Sequence, residues 1–130
     1  MILLDTSVLI EMFCMKNKSV TFFYQLSKSH KDFCISVITH FEIFRGSDDF
    51  QDFFWTKFFE NVKIIPFDLI SSNAAIILYK QLKAQKKTID LADLLIAATA
   101  LAHNLPLATL NIKDFKKIPN LHIHAPMRKT

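Results

Sequence analysis

Four acidic side chains occupy positions where carboxylates could act together. Asp5 directly follows the first apolar run of the chain, and Asp114 lies in a polar segment after a later one. Asp93 begins an apolar helical pattern, and Glu42 lies just after the second apolar run. Carboxylates at one edge of a small sheet repel one another and raise one another's pKa. A hard divalent cation with oxygen ligands removes that penalty, so the set favours a Mg²⁺ or Mn²⁺ site.

A bound ion of this type favours one kind of chemistry. Such ions promote phosphodiester cleavage by clamping the phosphate and activating water. A zinc site is not favoured, because the sequence offers no histidine cluster or cysteine pair with zinc-site spacing. His122 and His124 alternate along a strand near the end of the chain, and we interpret them as surface or edge residues.

Each acid also has a simpler structural interpretation. Asp5, Thr6 or Ser7 could cap the helix that follows the first strand. Glu42 stands three residues after Thr39, which is the spacing of a capping box, and spacing alone favours that interpretation. The two interpretations of Glu42 are compatible, because a cap would also hold its carboxylate near the end of a strand.

The other acids can be explained by local structure as well. Asp90 and Asp93 stand three residues apart at the start of a helix, where the helix dipole favours negative charge. Asp114 could cap a short turn after the fourth strand. No acid is decisive alone, and the metal hypothesis therefore depends on the acids occurring together.

Short apolar runs predict the elements that position these acids. Five runs are suited to buried strands, at residues 2–4, 33–36, 62–65, 105–109 and 121–124. The helical pattern over 68–87 predicts a single buried face, made of Ile70, Ala74, Ile77, Leu78 and Leu82. Residues 93–103 are apolar nearly all round, as expected of a core helix. The alternation predicts an α/β fold with a mostly parallel sheet, whose ligands gather at the carboxyl ends of the strands.

The composition limits the class of protein. With 130 residues the chain fits one domain, and a content of 51% hydrophobic and 22% charged residues excludes a disordered protein. One glycine and four prolines argue against a turn-rich sandwich or barrel. The net charge of +4 permits an anionic partner.

Three features predict a cytoplasmic protein. Cys14 and Cys34 have no C-x-x-C spacing, and we interpret both as buried thiols in a reducing cytosol. The N-terminal apolar run has no basic region before it and ends at Asp5, which argues against a signal peptide. The longest apolar run, 94–102, is too short to span a bilayer, so we expect no association with a membrane.

In their order and spacing, these residues resemble a PIN domain, and specifically the VapC toxins of bacterial toxin–antitoxin pairs. The resemblance covers almost the whole chain and rests on LDTS at 4–7, SVIT with Glu42 and Gly46 at 36–46, DLLIAATA at 93–100, and LPLAT, Asn111, DF and IP within 105–119. Asn104 and Asn120 stand where glycine is common in the family, but asparagine also tolerates the left-handed conformation. The resemblance implies a PIN-like three-layer α/β/α fold, with four to five strands flanked by helices, as one domain over residues 1–130.

The resemblance also implies an activity and a site. It predicts the toxin of a type II pair, a Mg²⁺- or Mn²⁺-dependent endoribonuclease that cleaves RNA with metal-activated water. Four residues match the catalytic acidic quartet: Asp5, Glu42, Asp93 and Asp114. Of these, Asp5, Asp93 and Asp114 would hold the metal. Polar support would come from Thr6, Ser7, Asp90, Thr109 and Asn111, with a simple helix start as the alternative for Asp90.

Two other functions stay open, and both use the same fold. One is a catalytically inactive PIN-like module that binds RNA or protein. The other is an RNA-processing PIN nuclease that has no antitoxin, which the short chain without an appended domain disfavours.

The expected partners follow from the same resemblance. RNA would be the substrate, and Lys113, Lys116 and Lys117 flank Asp114, where RNA phosphates would approach; a solvated basic loop is the alternative. A cognate VapB-type antitoxin is expected, together with a homodimer that forms a heterotetramer or larger complex with it. Operator DNA would be bound only through the antitoxin.

An aromatic helix is the candidate surface for the antitoxin. Residues 48–60 predict a helix that carries six of the chain's aromatic residues, Phe50, Phe53, Phe54, Trp55, Phe58 and Phe59. Successive helix residues lie about 100° apart, so these six cover too wide an arc for one buried stripe. An exposed aromatic patch often marks a partner surface, and a broad stripe that is entirely buried is the alternative. We expect an apolar helix of the antitoxin to lie against residues 50–59 in a helix-in-groove mode.

Overall fold

The fold is organised around a five-stranded parallel sheet. The computed structural model describes residues 1–127, and its strands run in the order β3-β2-β1-β4-β5 with every pair parallel. The strands are β1 (Ile2–Leu4), β2 (Phe33–Ser36), β3 (Lys63–Ile65), β4 (Leu107–Ala108) and β5 (Ile123–His124). In the central strand, Leu3 pairs with Cys34 on one side and with Leu107 on the other. The carboxyl ends of the strands therefore share one edge of the sheet.

Helices fill the connections between the strands. They are α1 (Thr6–Cys14), α2 (Phe22–Ser27), α3 (Val37–Arg45), α4 (Asp49–Phe59), α5 (Leu69–Ala84), α6 (Leu91–Ala102) and α7 (Ile112–Phe115), with a 3₁₀ turn at Lys18–Val20. Side-chain caps fix several of the starts. Asp48 and Gln51 form a capping box at α4, and Asp68 Oδ1 accepts from Ser71 N at 3.0 Å at α5.

The hydrophobic core lies on both faces of the sheet. Successive residues of β1 point to opposite faces of the sheet. Ile2 and Leu4 lie on one face, where they pack with α1, α2 and Trp55 of α4. Leu3, which faces the other way, packs with residues of α5 and α6. Helices thus cover both faces, and the predicted three-layer α/β/α fold with a small parallel sheet is confirmed.

The buried face of α5 agrees with the predicted one at Leu78 and Leu82 but not elsewhere. Its buried residues are Ser71, Ala75, Leu78 and Leu82. The prediction was wrong at Ile70 and Ile77, which are 61% and 59% exposed. The helix is apolar on more than one side, so periodicity does not decide which side faces the core beside α6. The outer side of α5 is therefore left as an exposed apolar surface.

Three further observations bear on the expectations above. Cys34 is buried, but Cys14 is exposed at the end of α1, so the prediction of a buried thiol was wrong for Cys14. Asn104 and Asn120 have positive φ angles of 53° and 66°, which confirms the left-handed conformation expected there. Within residues 1–127, no helix is long and apolar enough to cross a membrane.

The burial of two phenylalanines predicts very different contributions to the free energy of unfolding. Phe115 is fully buried, whereas Phe53 is 67% exposed. Phe115→Ala should lower the free energy of unfolding by about 3–5 kcal/mol, because it leaves a cavity in the core. Phe53→Ala should change it by no more than about 0.5 kcal/mol. Urea denaturation followed by circular dichroism measures both values, and equal losses would contradict the burial of Phe115.

Candidate active site

Asp5 is buried at the carboxyl end of β1. Its backbone N–H donates to Ala108 O of β4 at 2.9 Å, and the residue is only 2% exposed. Ser7 Oγ and Thr109 Oγ1 each donate to Asp5 Oδ2 at 2.7 Å, while Oδ1 is buried with no hydrogen-bond partner among the described residues. Burial raises the pKa of Asp5, and the hydrogen bonds offset this only in part. Because the Asp5 side chain makes no cap bond to α1, the capping interpretation was wrong for it.

Backbone N–H groups orient the two hydroxyls that face Asp5. Leu110 N donates to Ser7 Oγ at 3.1 Å, and Asn111 N donates to Thr109 Oγ1 at 2.9 Å. A hydroxyl that accepts from the backbone keeps its single proton for another acceptor, which here is the carboxylate. Ser7 and Thr109 therefore both donate to the Asp5 carboxylate.

Glu42 is carried by α3, the helix that directly follows β2. Ser36 caps this helix, and its Oγ accepts from Ile38 N at 3.0 Å, so the capping-box interpretation of Thr39 and Glu42 was wrong. Thr6 Oγ1 donates to Glu42 Oε1 at 2.7 Å and lies 2.9 Å from Thr39 Oγ1. Thr6 thus ties the start of α1 to α3 and orients the Glu42 carboxylate.

Asp93 lies half-buried in the first turn of α6. Its pKa is raised to about 7, first by burial and then by the negative charges of Asp5, Asp90, Glu42 and Asp114. Asp90 is the exposed residue just before the helix, and its side chain makes no cap bond. The raised pKa means that these acids lie within electrostatic reach of Asp93.

Asp114 lies within α7, and two side chains hold its oxygens. Asn111 Nδ2 donates to Asp114 Oδ2 at 3.0 Å and to Asp93 Oδ2 at 3.3 Å. Lys117 Nζ donates to Asp114 Oδ1 at 3.3 Å. These contacts, with the Asn111 hydrogen bond first, hold the pKa of Asp114 below its usual value. Asn111 therefore bridges two of the acids through a single amide.

The donor chemistry of this cluster fits a hard divalent cation. Its carboxylates offer only oxygen ligands, which such a cation prefers. Oδ1 of Asp5 has no hydrogen-bond partner among the described residues, and the pKa of Asp93 is raised. Both observations indicate negative charge that the protein leaves uncompensated. As the side chains stand, no three carboxylate, imidazole or thiol groups of residues 1–127 form a metal-binding group. Asn111 and Lys117 each donate to one oxygen of Asp114, so an ion that takes Asp114 as a ligand meets a carboxylate that already has two partners.

The predicted RNA-binding lysines do not form a uniform group. Lys113 and Lys116 are exposed, whereas Lys117 is half-buried and engaged by Asp114.

Sequence reasoning missed the pairing of Asn111 and Lys117 with Asp114. Each stands three residues from Asp114, a spacing at which side chains on one helical turn meet, and this signal could have found them.

The aromatic helix α4 is buried over much of its surface. Four of its six aromatic residues pack in or against the core: Phe54, Trp55, Phe58 and Phe59. Trp55 and Phe59 are only 3% and 8% exposed, so a partner cannot contact them as a surface, and the expectation is corrected there. Phe50 and Phe53 are 80% and 67% exposed. The exposed aromatic surface is thus smaller than predicted and lies near the start of the helix.

Comparison with known sequences places the chain in a family. A model of the PIN domain matches residues 2–121. Ribonuclease VapC1 of Methanocaldococcus jannaschii is 35% identical over 126 residues, which cover 90% of this chain and 80% of that protein. Ribonuclease VapC of Rickettsia bellii is 41% identical over 70 residues, and this match spans 51% of this chain and 52% of that protein, about half of each.

Solved structures share the whole fold. VapBC2 from Rickettsia felis, bound to a DNA fragment from its promoter, matches with a TM-score of 0.85 and 29% identity over 98% of this chain and 100% of that chain. A toxin–antitoxin complex from Klebsiella pneumoniae matches with a TM-score of 0.79 and 27% identity, over 99% of this chain and 100% of that chain. These matches agree with the fold described above. The chain therefore belongs to the PIN-domain family and, within it, to the VapC proteins.

Proposed function

We propose that this chain is a divalent-metal-dependent endoribonuclease, the toxin of a type II toxin–antitoxin pair, with residues 1–130 forming a single PIN domain. The observation that carries the proposal is the meeting of the acids at one edge of the sheet: Asn111 Nδ2 donates to both Asp93 and Asp114, and burial and four neighbouring carboxylates raise the pKa of Asp93 to about 7. Relatives named ribonuclease VapC and structural neighbours that are toxin–antitoxin complexes support the same function. All four acids of the quartet are present, which argues against a catalytically inactive module.

The proposed mechanism assigns separate tasks to the acids. Asp5, Asp93 and Asp114 would hold the ion, and the hydroxyls that contact Asp5 leave its Oδ1 free for this purpose. When bound, a divalent ion supplies charge neutralisation at the phosphate and activates water for attack on phosphorus. Thr6 occupies Oε1 of Glu42, so Oε2 of Glu42 is the oxygen that accepts a hydrogen bond or proton from the attacking water.

Two exposed lysines support the binding of RNA. Lys113 lies in α7 beside Asp114, and Lys116 follows the same helix. Their charges offset the repulsion between the acidic cluster and the phosphates of RNA. Lys117 is not assigned this task, because Asp114 already holds its ammonium group.

The proposed partners fit two exposed apolar surfaces on opposite layers of the fold. The outer face of α4 presents Phe50 and Phe53, and we assign the antitoxin helix to it. The outer face of α5 exposes Leu69, Ile70 and Ile77, and we assign it to a second copy of this chain. Because the surfaces do not overlap, a dimer can carry two antitoxins, which gives the heterotetramer. Operator DNA would then be bound through the antitoxin.

The proposed chemistry predicts the ends of the cleaved RNA. Attack of water on phosphorus leaves a 5′-phosphate and a 3′-hydroxyl, and it does not use the 2′-hydroxyl as nucleophile. Purified protein with Mn²⁺ should therefore cleave RNA to these ends, as measured by mass spectrometry of the products, and EDTA should stop the reaction. A 2′,3′-cyclic phosphate, or cleavage that EDTA does not affect, would contradict the mechanism.

Removing the charge of Asp93 should stabilise the ion-free protein. The folded-state pKa of about 7 lies above the usual 3.8, so the stability linked to Asp93 is present below pH 3.8 and is lost as the pH rises through 7. In EDTA, Asp93→Asn should raise the melting temperature by about 5 °C at pH 8 and by less at pH 5. The asparagine keeps the shape of the side chain and still accepts from Asn111.

Mn²⁺ provides the second measurement for the same variant. At pH 8, Mn²⁺ should raise the melting temperature of the wild type but not that of Asp93→Asn, which should also lose RNA cleavage. Asp32→Asn is the matched control, because Asp32 is an exposed acid before β2, and it should keep both the Mn²⁺ response and the activity. Full activity of Asp93→Asn would show that the site is assigned incorrectly.

The antitoxin surface can be tested at the two exposed phenylalanines of α4. Phe50→Asp and Phe53→Asp should each weaken co-purification with the product of the small adjacent reading frame by at least about tenfold, because a charge replaces apolar contact. Both variants should fold, since these side chains lie outside the core. Tyr79→Asp, an exposed aromatic position on α5, serves as the control and should keep the partner. Unchanged binding by both α4 variants would exclude this surface.

A further inference from the structure

Lys117 occupies an unusual position for a lysine that follows a surface helix. Its side chain is 29% exposed, and its ammonium group has two acceptors from different parts of the chain. Lys117 Nζ donates to Asp114 Oδ1 at 3.3 Å and to the backbone Thr88 O at 3.0 Å. Thr88 lies in the segment between α5 and α6 that leads to Asp90. One cation thus ties α7 to the segment that precedes Asp93.

This contact changes which carboxylate oxygens are open to an ion. Each oxygen of Asp114 already accepts a hydrogen bond, Oδ1 from Lys117 and Oδ2 from Asn111. Asp5, by contrast, has a buried Oδ1 without a hydrogen-bond partner among the described residues. Among the acids of the cluster, Asp5 therefore keeps an oxygen without a partner, whereas Asp114 already has an internal cation beside it.

We propose that Lys117 is a built-in counter-ion that competes with the divalent cation for Asp114 and so sets how tightly the site binds metal. The inference rests on the proposed function, because it concerns the same metal site. An ammonium group delivers one charge through a hydrogen bond, whereas a divalent ion delivers two and binds the oxygen directly. An incoming ion also repels the ammonium group, which releases both Asp114 and Thr88 O.

A purely structural contact would produce the opposite result in a test. If Lys117 only held α7 in place, its removal would loosen Asp114 and weaken metal binding. If Lys117 competes with the ion, its removal frees an acidic ligand and takes away a repelling charge, and metal binding becomes tighter. The direction of the change in affinity therefore distinguishes the two explanations without a measurement of activity.

The experiment is a calorimetric titration of the full chain with Mn²⁺ in the absence of RNA. Lys117→Met keeps the length of the side chain without its charge, and we expect it to bind Mn²⁺ about tenfold more tightly than the wild type. Lys117→Arg keeps the cation and should stay within about twofold of the wild type. Lys116→Met, at an exposed neighbour for which no contact with a carboxylate is found among the described residues, is the matched control and should also stay within about twofold.

A double variant shows whether the effect acts through Asp114. In an Asp114→Asn background, Lys117→Met should no longer tighten Mn²⁺ binding, since the carboxylate for which the two cations compete is gone. In EDTA, Lys117→Met should also lower the melting temperature, because Asp114 loses its counter-ion. Lys117→Gln replaces the methionine variant if that protein does not fold.

The outcomes separate this inference from the proposed function. Tighter Mn²⁺ binding by Lys117→Met that disappears in the Asp114→Asn background supports the competition. Unchanged or weaker binding by Lys117→Met, while the wild type still binds Mn²⁺, overturns the inference and leaves the proposed nuclease intact. If neither protein binds Mn²⁺, the proposed metal site is overturned, and this inference with it.

Discussion

The candidate site depends on how the fold tolerates a buried carboxylate at the end of its central strand. Moving a charged group out of water is costly unless hydrogen bonds or an opposite charge compensate for it. Asp5 receives two hydroxyl hydrogen bonds on one oxygen and none on the other among the described residues. Part of the cost therefore remains, and it raises the pKa of Asp5. The pKa of Asp93 is raised first by its own burial and then by the charges of Asp5 and the other acids.

Parallel pairing explains why the acids could be predicted from the sequence. The chain leaves β1, β2 and β4 at the same edge of the sheet, and these exits carry Asp5, Glu42 and the segment with Asp114. β1 and β2 have the predicted bounds, because continuous apolar runs mark strands that are buried on both faces. Asp93 enters from α6, which follows no strand directly, so its place in the cluster depends on how α6 packs in the core.

Helix faces and long-range hydrogen bonds were less predictable, for a common physical reason. Both α4 and α5 carry apolar residues around much of their circumference, so periodicity allows several buried faces. The choice between them depends on elements that are distant in sequence, and so do the contacts of the site hydroxyls. Thr6 meets Glu42 across 36 positions of the chain, and Thr109 meets Asp5 across 104. Spacing along the chain carries no information about such pairs.

Core packing and charge placement are joined in two adjacent residues of α7. Phe115 is fully buried with residues of α5, α6 and β4, while its neighbour Asp114 contacts Asn111 and Lys117. A helix of four residues is not stable by itself, so burial of Phe115 is what holds this turn in place. Loosening Phe115 would therefore move a carboxylate and, through Asn111, disturb its connection to Asp93. In α7, a change in the packing that stabilises the fold therefore also changes the geometry of the site.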